Sequence, residues 1–229
     1  MKKAWLSLIV VAIVASLACT RHGGDDPLGS SNGNNGAGGG SSGPTATPTP
    51  LPVVNIFTGA ALGTWFGKTL FAETGSNNNF DPSTGQLSQI ACSNPPVCTV
   101  YPSIGWIKFT VCSPIGCVTG PAIPSGYMVA GKIEFDLHID NAQALIGGMQ
   151  VYWGNPACYF QTSMVQAAAL AGCFGAGNFG HFSFFLHDIP LSFACQTPFG
   201  MTVPLQVSLS HLNTDTQPLV FVIKNVVWD

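Results

Sequence analysis

Charge is what this chain has least of. Asp, Glu, Lys and Arg make up 7% of its 229 residues, Arg21 is the only arginine, and the formal net charge is −3. A nucleic-acid partner needs a dense basic surface to displace phosphate counterions, so that class of partner is excluded. Long helical periodicity is also scarce, and no two cysteine pairs show the C-x-x-C spacing of a zinc site. Solubility rests instead on Ser, Thr, Asn and Gln, a composition of exported β proteins.

What is present begins with an N-terminal leader. Lys2 and Lys3 precede the apolar run WLSLIVVAIVASL, which is too short and wrongly flanked for an ordinary membrane span and reads as a secretory signal. The run ends at Ser16-Leu17-Ala18-Cys19. Those four residues resemble the lipobox of bacterial lipoproteins, with Ser16 where the family has a large aliphatic residue. The resemblance implies a signal peptide over 1–18 and a mature chain beginning at an acylated Cys19, its lipid attachment site. Two or more acyl chains give stable anchoring, each buried methylene contributing about 0.8 kcal/mol. Thr20 stands where an aspartate would favour inner-membrane retention; the expected location is therefore exported and membrane-anchored, at the outer membrane if the cell is Gram-negative.

Residues 20–52 are rich in Gly, Ser, Asn, Thr and Pro. They offer too little apolar surface to offset the entropy of ordering, so 19–52 is expected to be a lipidated cysteine and a disordered tether. Stretched out, the tether reaches roughly 110 Å at about 3.3 Å per residue. Residues 53–229 then form one domain large enough for a real core.

Besides Cys19, seven cysteines remain. Export favours disulfides. The loops CSNPPVC and CSPIGC are rich in turn residues, so Cys92–Cys98 and Cys112–Cys117 are the preferred bridges. Cys158–Cys173 would clamp the insertion between them and leave Cys195 over; about a hundred other pairing schemes stay open.

From Val53 onward the pattern has period two, or is a short apolar run broken by Gly, Pro and Asn. VVNIF, SIGWIKFTVC, MVAGKIEFDLHI, GGMQVYWG, FGHFSFFLHDI, VPLQVSLSHL and PLVFVIKNVVW read as strands, and only QTSMVQAAALAG reads as helix. The expected class is all-β, a jelly-roll β-sandwich with one short helix in an insertion. The ending TQPLVFVIKNVVWD, with Asn225, Val226 and Trp228, resembles the closing strand of bacterial carbohydrate-binding jelly rolls of the galactose-binding-like fold, with Lys224 where they have aspartate. SGYMVAGKIEFDLHI and GHFSFFLHDIPLSF resemble their early and later strands, whereas 75–128 is unlike the family. The resemblance implies a poly- or oligosaccharide partner and, in many members, a structural Ca²⁺. No acidic loop here has the ligand density to hold that ion, so no metal and no cofactor are expected.

Several motifs fail on context. Gly175–Gly180 spells G-x-G-x-x-G, but a strand follows where a dinucleotide site needs a helix. LGTWFGKT nearly spells a P-loop, yet begins at Leu62 and places Trp65 where amides must surround phosphate. G-x-S-x-G at 29–33 lies in the tether, away from any strand-to-helix turn. His181 and His187 share a parity that could flank a metal, but histidines scattered over different strands more often meet solvent.

GKIEFDLHID is the most informative stretch. Glu134, Asp136 and His138 share one face of a strand, and Gln150 and Tyr152 alternate on the next. Glycosidases need two carboxyl groups about 5–5.5 Å or roughly 6.5–9.5 Å apart. In retaining β-glucanases of the concanavalin-like class the row holds two glutamates, and His138 occupies the second acidic position here. Polar rows beside aromatics suit sugar hydroxyls and sugar faces. Glu134, Asp136, His138, Gln150 and Tyr152 are therefore read as ligand-binding rather than catalytic, with the two strands assumed adjacent. Trp65, Trp106, Trp153 and Trp228 are read as core. The leading expectation is a lipid-anchored carbohydrate-binding protein of the cell envelope. Its alternatives are a structural or adhesive envelope lipoprotein without a small-molecule site, and a diverged glycoside hydrolase using Glu134 and Asp136.

Overall fold

Alternation along each strand sets the architecture. In Lys132–Ile139, the side chains of Ile133, Phe135, Leu137 and Ile139 are fully buried while Lys132, Glu134 and Asp136 between them stay half-buried. The computed structural model describes residues 50–90, 101, 103–140, 146–155, 158–188, 200–211 and 218–229. The expected signal peptide, Cys19 and nearly all of the tether lie outside them.

The strands are β1 (Val54–Phe57), β2 (Thr64–Trp65), β3 (Lys68–Thr69), β4 (Phe71–Thr74), β5 (Asn78–Asp81), β6 (Gln86–Gln89), β7 (Ile104–Thr110), β8 (Cys112–Ser113), β9 (Gly116–Cys117), β10 (Lys132–Ile139), β11 (Ile146–Asn155), β12 (Cys158–Gln161), β13 (Val165–Gln166), β14 (Gly180–Phe185), β15 (Val203–His211) and β16 (Val220–Trp228). One sheet runs β14-β10-β16-β6-β5, with β1 also on β16; the other runs β12-β11-β15-β7-β4, with β13 also on β11. Among the described residues, the strands of both sheets pair antiparallel. From β6 to β16 the chain crosses between sheets at nearly every step, giving β6-β16-β10-β14 against β7-β15-β11-β12. That is the double Greek key of a jelly roll, the expected fold.

The two inner faces meet in an apolar core. Trp228, at the end of β16, wedges between the sheets: its ring meets Trp153 of β11 at 5.3 Å and 88°, and Trp65 of β2 at 4.5 Å and 77°. All three tryptophans are fully buried. The Trp228 Nε1–H donates to the Pro204 carbonyl at 3.1 Å, so this large side chain enters the core with its polar atom satisfied. Leu51, expected in the tether, already packs against the core, and the Tyr127 hydroxyl donates to the Pro52 carbonyl.

Of the segment read as helix, only the second half winds as one. In the expected segment, Gln161 and Val165–Gln166 pair with the edge of β11, and Ala167–Cys173 winds as 3₁₀ helix, burying Leu170 and Cys173. Isolated helices of this length are marginal in water, so the edge of β11 wins. The short α-helix is α1 (Ser125–Ala130), read from sequence as part of a strand; Pro124 precedes it, Tyr127 buries its inner side and Gly131 ends it. Phe66 and Gly67, at φ 44° and 80°, turn β2 into β3, so the near P-loop is a tight hairpin. The G-x-G-x-x-G run leads into β14 as expected.

Cys112–Cys117 is bonded and closes the β8–β9 hairpin. Cys92, Cys98, Cys195 and the Cys158 side chain lie outside the described residues, so the other expected bridges do too; Cys173 is buried in the core.

Candidate functional site

The five residues singled out from sequence do not come together. β10, with Glu134, Asp136 and His138, belongs to one sheet, and β11, with Gln150 and Tyr152, to the other. Their polar faces look outward from opposite sides of the sandwich, so the assumed adjacency is corrected. The strands are consecutive in the chain, but the jelly-roll order assigns them to different sheets.

On the β10 face, side chains satisfy one another. Ser183 Oγ donates to Glu134 Oε1 at 2.9 Å, and Asn225 Nδ2 to Asp136 Oδ2 at 2.7 Å. His181 Nδ1 lies 2.9 Å from Asp136 Oδ1. Asn225 reaches Asp136 because it stands in a β-bulge at φ 52°, a conformation asparagine tolerates. His138, expected to face a groove or water, is only 7% exposed. Its Nδ1 lies 2.5 Å from the Asn178 carbonyl, its Nε2 2.6 Å from Asp140 Oδ1, and Phe179 covers it at 5.3 Å. Lys224 in turn lies 3.6 Å above the Phe179 ring. The Asp229 carboxyl is held above its usual range, chiefly by burial and next by the negative charge of Glu134. Among the described residues no three His, Cys, Asp or Glu side chains form a group that could hold a metal ion.

The other outer face is open. Its register sets up three rungs: Glu73, Lys108, Gln206, Tyr152 and Gln161; then Trp106, Ser208 and Gln150; then Ile104, Ser210 and Gly148. Two hollows of about 310 and 250 Å³ lie along β11 and β15 and share Tyr152 and Gln206. Together they form a groove running with the strands. Trp106 flanks the smaller hollow and Tyr159, 39% exposed, the larger. Tyr159 meets Tyr152 edge-on at 5.5 Å. Trp106 and Tyr152 lie two strands and one rung apart, roughly 12 Å between Cα atoms.

Trp106 was read as core; it is half-buried on the outer face. Gly75 makes room for it, since a Cβ there would stand 3.1 Å from the Trp106 Nε1. The sequence signal existed: in β7, Trp106 shares its parity with Lys108, whereas Ile107 and Phe109 point inward and are fully buried. Gln206 and Ser208, missed by sequence reasoning, follow the same logic on β15, opposite Leu205 and Val207.

The groove's polar groups are neutral or paired. Tyr152 O–H donates to Gln150 Oε1 at 2.7 Å, and Gln206 Nε2 to Ser208 Oγ at 3.3 Å. Lys108 is ion-paired with Glu73. Burial first, and Tyr159 second, raise the Tyr152 phenol above its ordinary value, so it remains a neutral donor at physiological pH. Ring surfaces over amides and hydroxyls can bind a polar, neutral ligand that also presents apolar faces.

Comparison with solved structures finds a loose likeness. The likeness is to carbohydrate-binding modules. A family 30 module aligns with 78% of this chain and 99% of its own at 14% identity and a TM-score of 0.44. A family 30 module from a cellulosomal cellulase of Clostridium thermocellum gives 13% identity over 78% of this chain and 98% of its own, with a TM-score of 0.37. A family 28 module described as specific for non-crystalline cellulose gives 13%, 77%, 98% and 0.36 respectively. No protein-family model matches the sequence, and no curated protein does. Likeness this loose says nothing of a ligand here, and the fold rests on the strand order above.

Proposed function

We propose that the domain binds polysaccharide in the groove on the β11–β15–β7 face, without cleaving it. One observation carries this reading: Trp106, Tyr152 and Tyr159 border a groove whose polar groups include Gln150, Gln206 and Ser208, with its lysine, Lys108, neutralised by Glu73. Sugars offer apolar ring faces and a belt of hydroxyls, and this lining meets both. Hydrolysis is disfavoured because Glu134 and Asp136 stand on the opposite sheet with their oxygens engaged by Ser183, His181 and Asn225. We further propose that an acylated Cys19 and the tether hold the domain at the cell envelope; the lipobox-like Ser16–Cys19 and the composition of 20–52 support this.

The test is isothermal titration of the full-length protein with soluble neutral polysaccharides such as mixed-linkage β-glucan, xylan and glucomannan. Trp106→Ala and Tyr152→Ala should each weaken binding about tenfold or more, since burying one aromatic side chain contributes on the order of 1.5–3 kcal/mol. Retained affinity in both variants would sink the assignment to this face. Metabolic palmitate labelling, lost in Cys19→Ser, tests the anchor.

A further inference from the structure

The two halves of the groove differ in chemistry. The larger hollow, toward Asn155, carries Lys108 and the Tyr159 ring. The smaller one is walled by Ile104, Trp106 and Met164, over Ser208 and Gln150. Ile104 is 48% exposed and Met164 42% exposed, both held at the mouth of a polar groove. Met164 is placed there by a glycine. A Cβ on Gly148 would stand 2.7 Å from the Met164 sulfur and from the Val165 carbonyl, so only a bare backbone lets β13 and the residue before it come this close to β11.

We propose that this end of the groove is a subsite for the acetyl group of an acetylated sugar. The inference rests on the polysaccharide-binding reading and names its substrate class. A hydroxyl set between isoleucine and methionine would lose water without gaining a partner. A methyl group gains by the same burial, and methionine's flexible thioether adapts to its shape. An acetyl group also brings a carbonyl oxygen that needs a donor. Ser208 Oγ accepts from Gln206 Nε2 at 3.3 Å, which leaves its own O–H proton to give. Ser210, beside it, already directs its hydroxyl to the Gly148 carbonyl at 3.4 Å, so Ser208 is the donor for the ligand. The methyl seats between Ile104 and Met164 and the carbonyl oxygen turns to Ser208.

Ester and amide acetyl groups share this chemistry, and two matched pairs separate them. Titrate the full-length protein with O-acetylated xylan and the same xylan after alkaline deacetylation, and with chitotetraose and cellotetraose, which share a β-1,4 backbone and differ at the 2-position. The acetylated member of at least one pair should bind about fourfold tighter for each methyl seated, the factor that one buried methylene supplies. In Ile104→Ser/Met164→Ser that ratio should fall to about one, with near-ultraviolet circular dichroism confirming the fold. Equal affinities within both pairs, or a ratio that survives the double variant, would overturn the acetyl subsite while leaving polysaccharide binding in place. No binding to any of the four would overturn both.

Discussion

Replacing Trp228 with alanine tests how the two sheets are held together. Trp228 is fully buried on β16, yet its ring meets the other sheet, the β2–β3 hairpin and α1: Trp153 at 5.3 Å, the Pro204 carbonyl at 3.1 Å, Trp65 at 4.5 Å and Tyr127 at 6.3 Å. Truncating a buried tryptophan to alanine costs about 3–5 kcal/mol through lost transfer energy and the cavity left behind. The carbonyl of Pro204, itself buried, then lacks its donor, which adds about 1 kcal/mol or more. A domain of this size is stable by roughly 5–15 kcal/mol in total, so the variant should stand near the edge of unfolding. Urea denaturation followed by far-ultraviolet circular dichroism measures this without relying on tryptophan emission. Trp106→Ala is the matched control: same residue type, half-buried on the outer face, expected to lose no more than about 1 kcal/mol. If Trp228→Ala lost less than about 1.5 kcal/mol, or no more than Trp106→Ala, the inter-sheet wedge would not be what holds the sandwich closed.

The double variant Glu134→Ala/Asp136→Ala should keep its polysaccharide affinity within about twofold in the same titrations, because the row faces away from the groove; a large loss would move the site to the opposite sheet. Asp229, raised above 3.8 by burial and then by Glu134, holds its proton more tightly folded than unfolded. Its contribution is therefore complete below 3.8 and lost as pH climbs through the raised value, and Asp229→Asn should flatten that part of the melting-temperature profile. Asp81 has the opposite sign: hydrogen bonds from the Ser83 hydroxyl and amide and from Thr84 lower its pKa, so acidification through the lowered value should loosen this turn, seen as smaller amide protection factors at Ser83 and Thr84 after correction for intrinsic exchange. Replacing Cys112 and Cys117 by serine opens a short loop and should cost about 2 kcal/mol of stability in urea, with strands and groove intact by circular dichroism and titration.

Alternation was legible wherever inward residues were large. β7, β10, β15 and β16 carry Ile107, Phe109, Phe135, Leu205 and Phe221 at every second position, and each was read as a strand from that period alone. β5 and β6 were not read: NNFD buries no residue fully, and in QLSQ the buried positions are Leu87 and a glutamine, Gln89, so no apolar period shows; they are strands through their pairing, with β6 lying against β16. The helix read over 161–172 forms only from Ala167 onward and as 3₁₀, because the edge of β11 pairs with Gln161 and Val165–Gln166 before the alanines are reached.

Sequence by itself determined the class of fold, the outward parity of Glu134, Asp136, Gln150 and Tyr152, and a loop in which Cys112 and Cys117 can meet. Each is local: a period of two, or a loop whose ends can meet. Which outward faces stand side by side was decided only by the tertiary structure. β10 and β11 belong to different sheets, so neighbours in sequence became opposite walls, and Gln150 and Tyr152 found Trp106 and Gln206 through pairings that reach far along the chain. No local pattern records which strand a strand will pair with; that choice is made by burying both inner faces at once around Trp228, Trp153 and their neighbours.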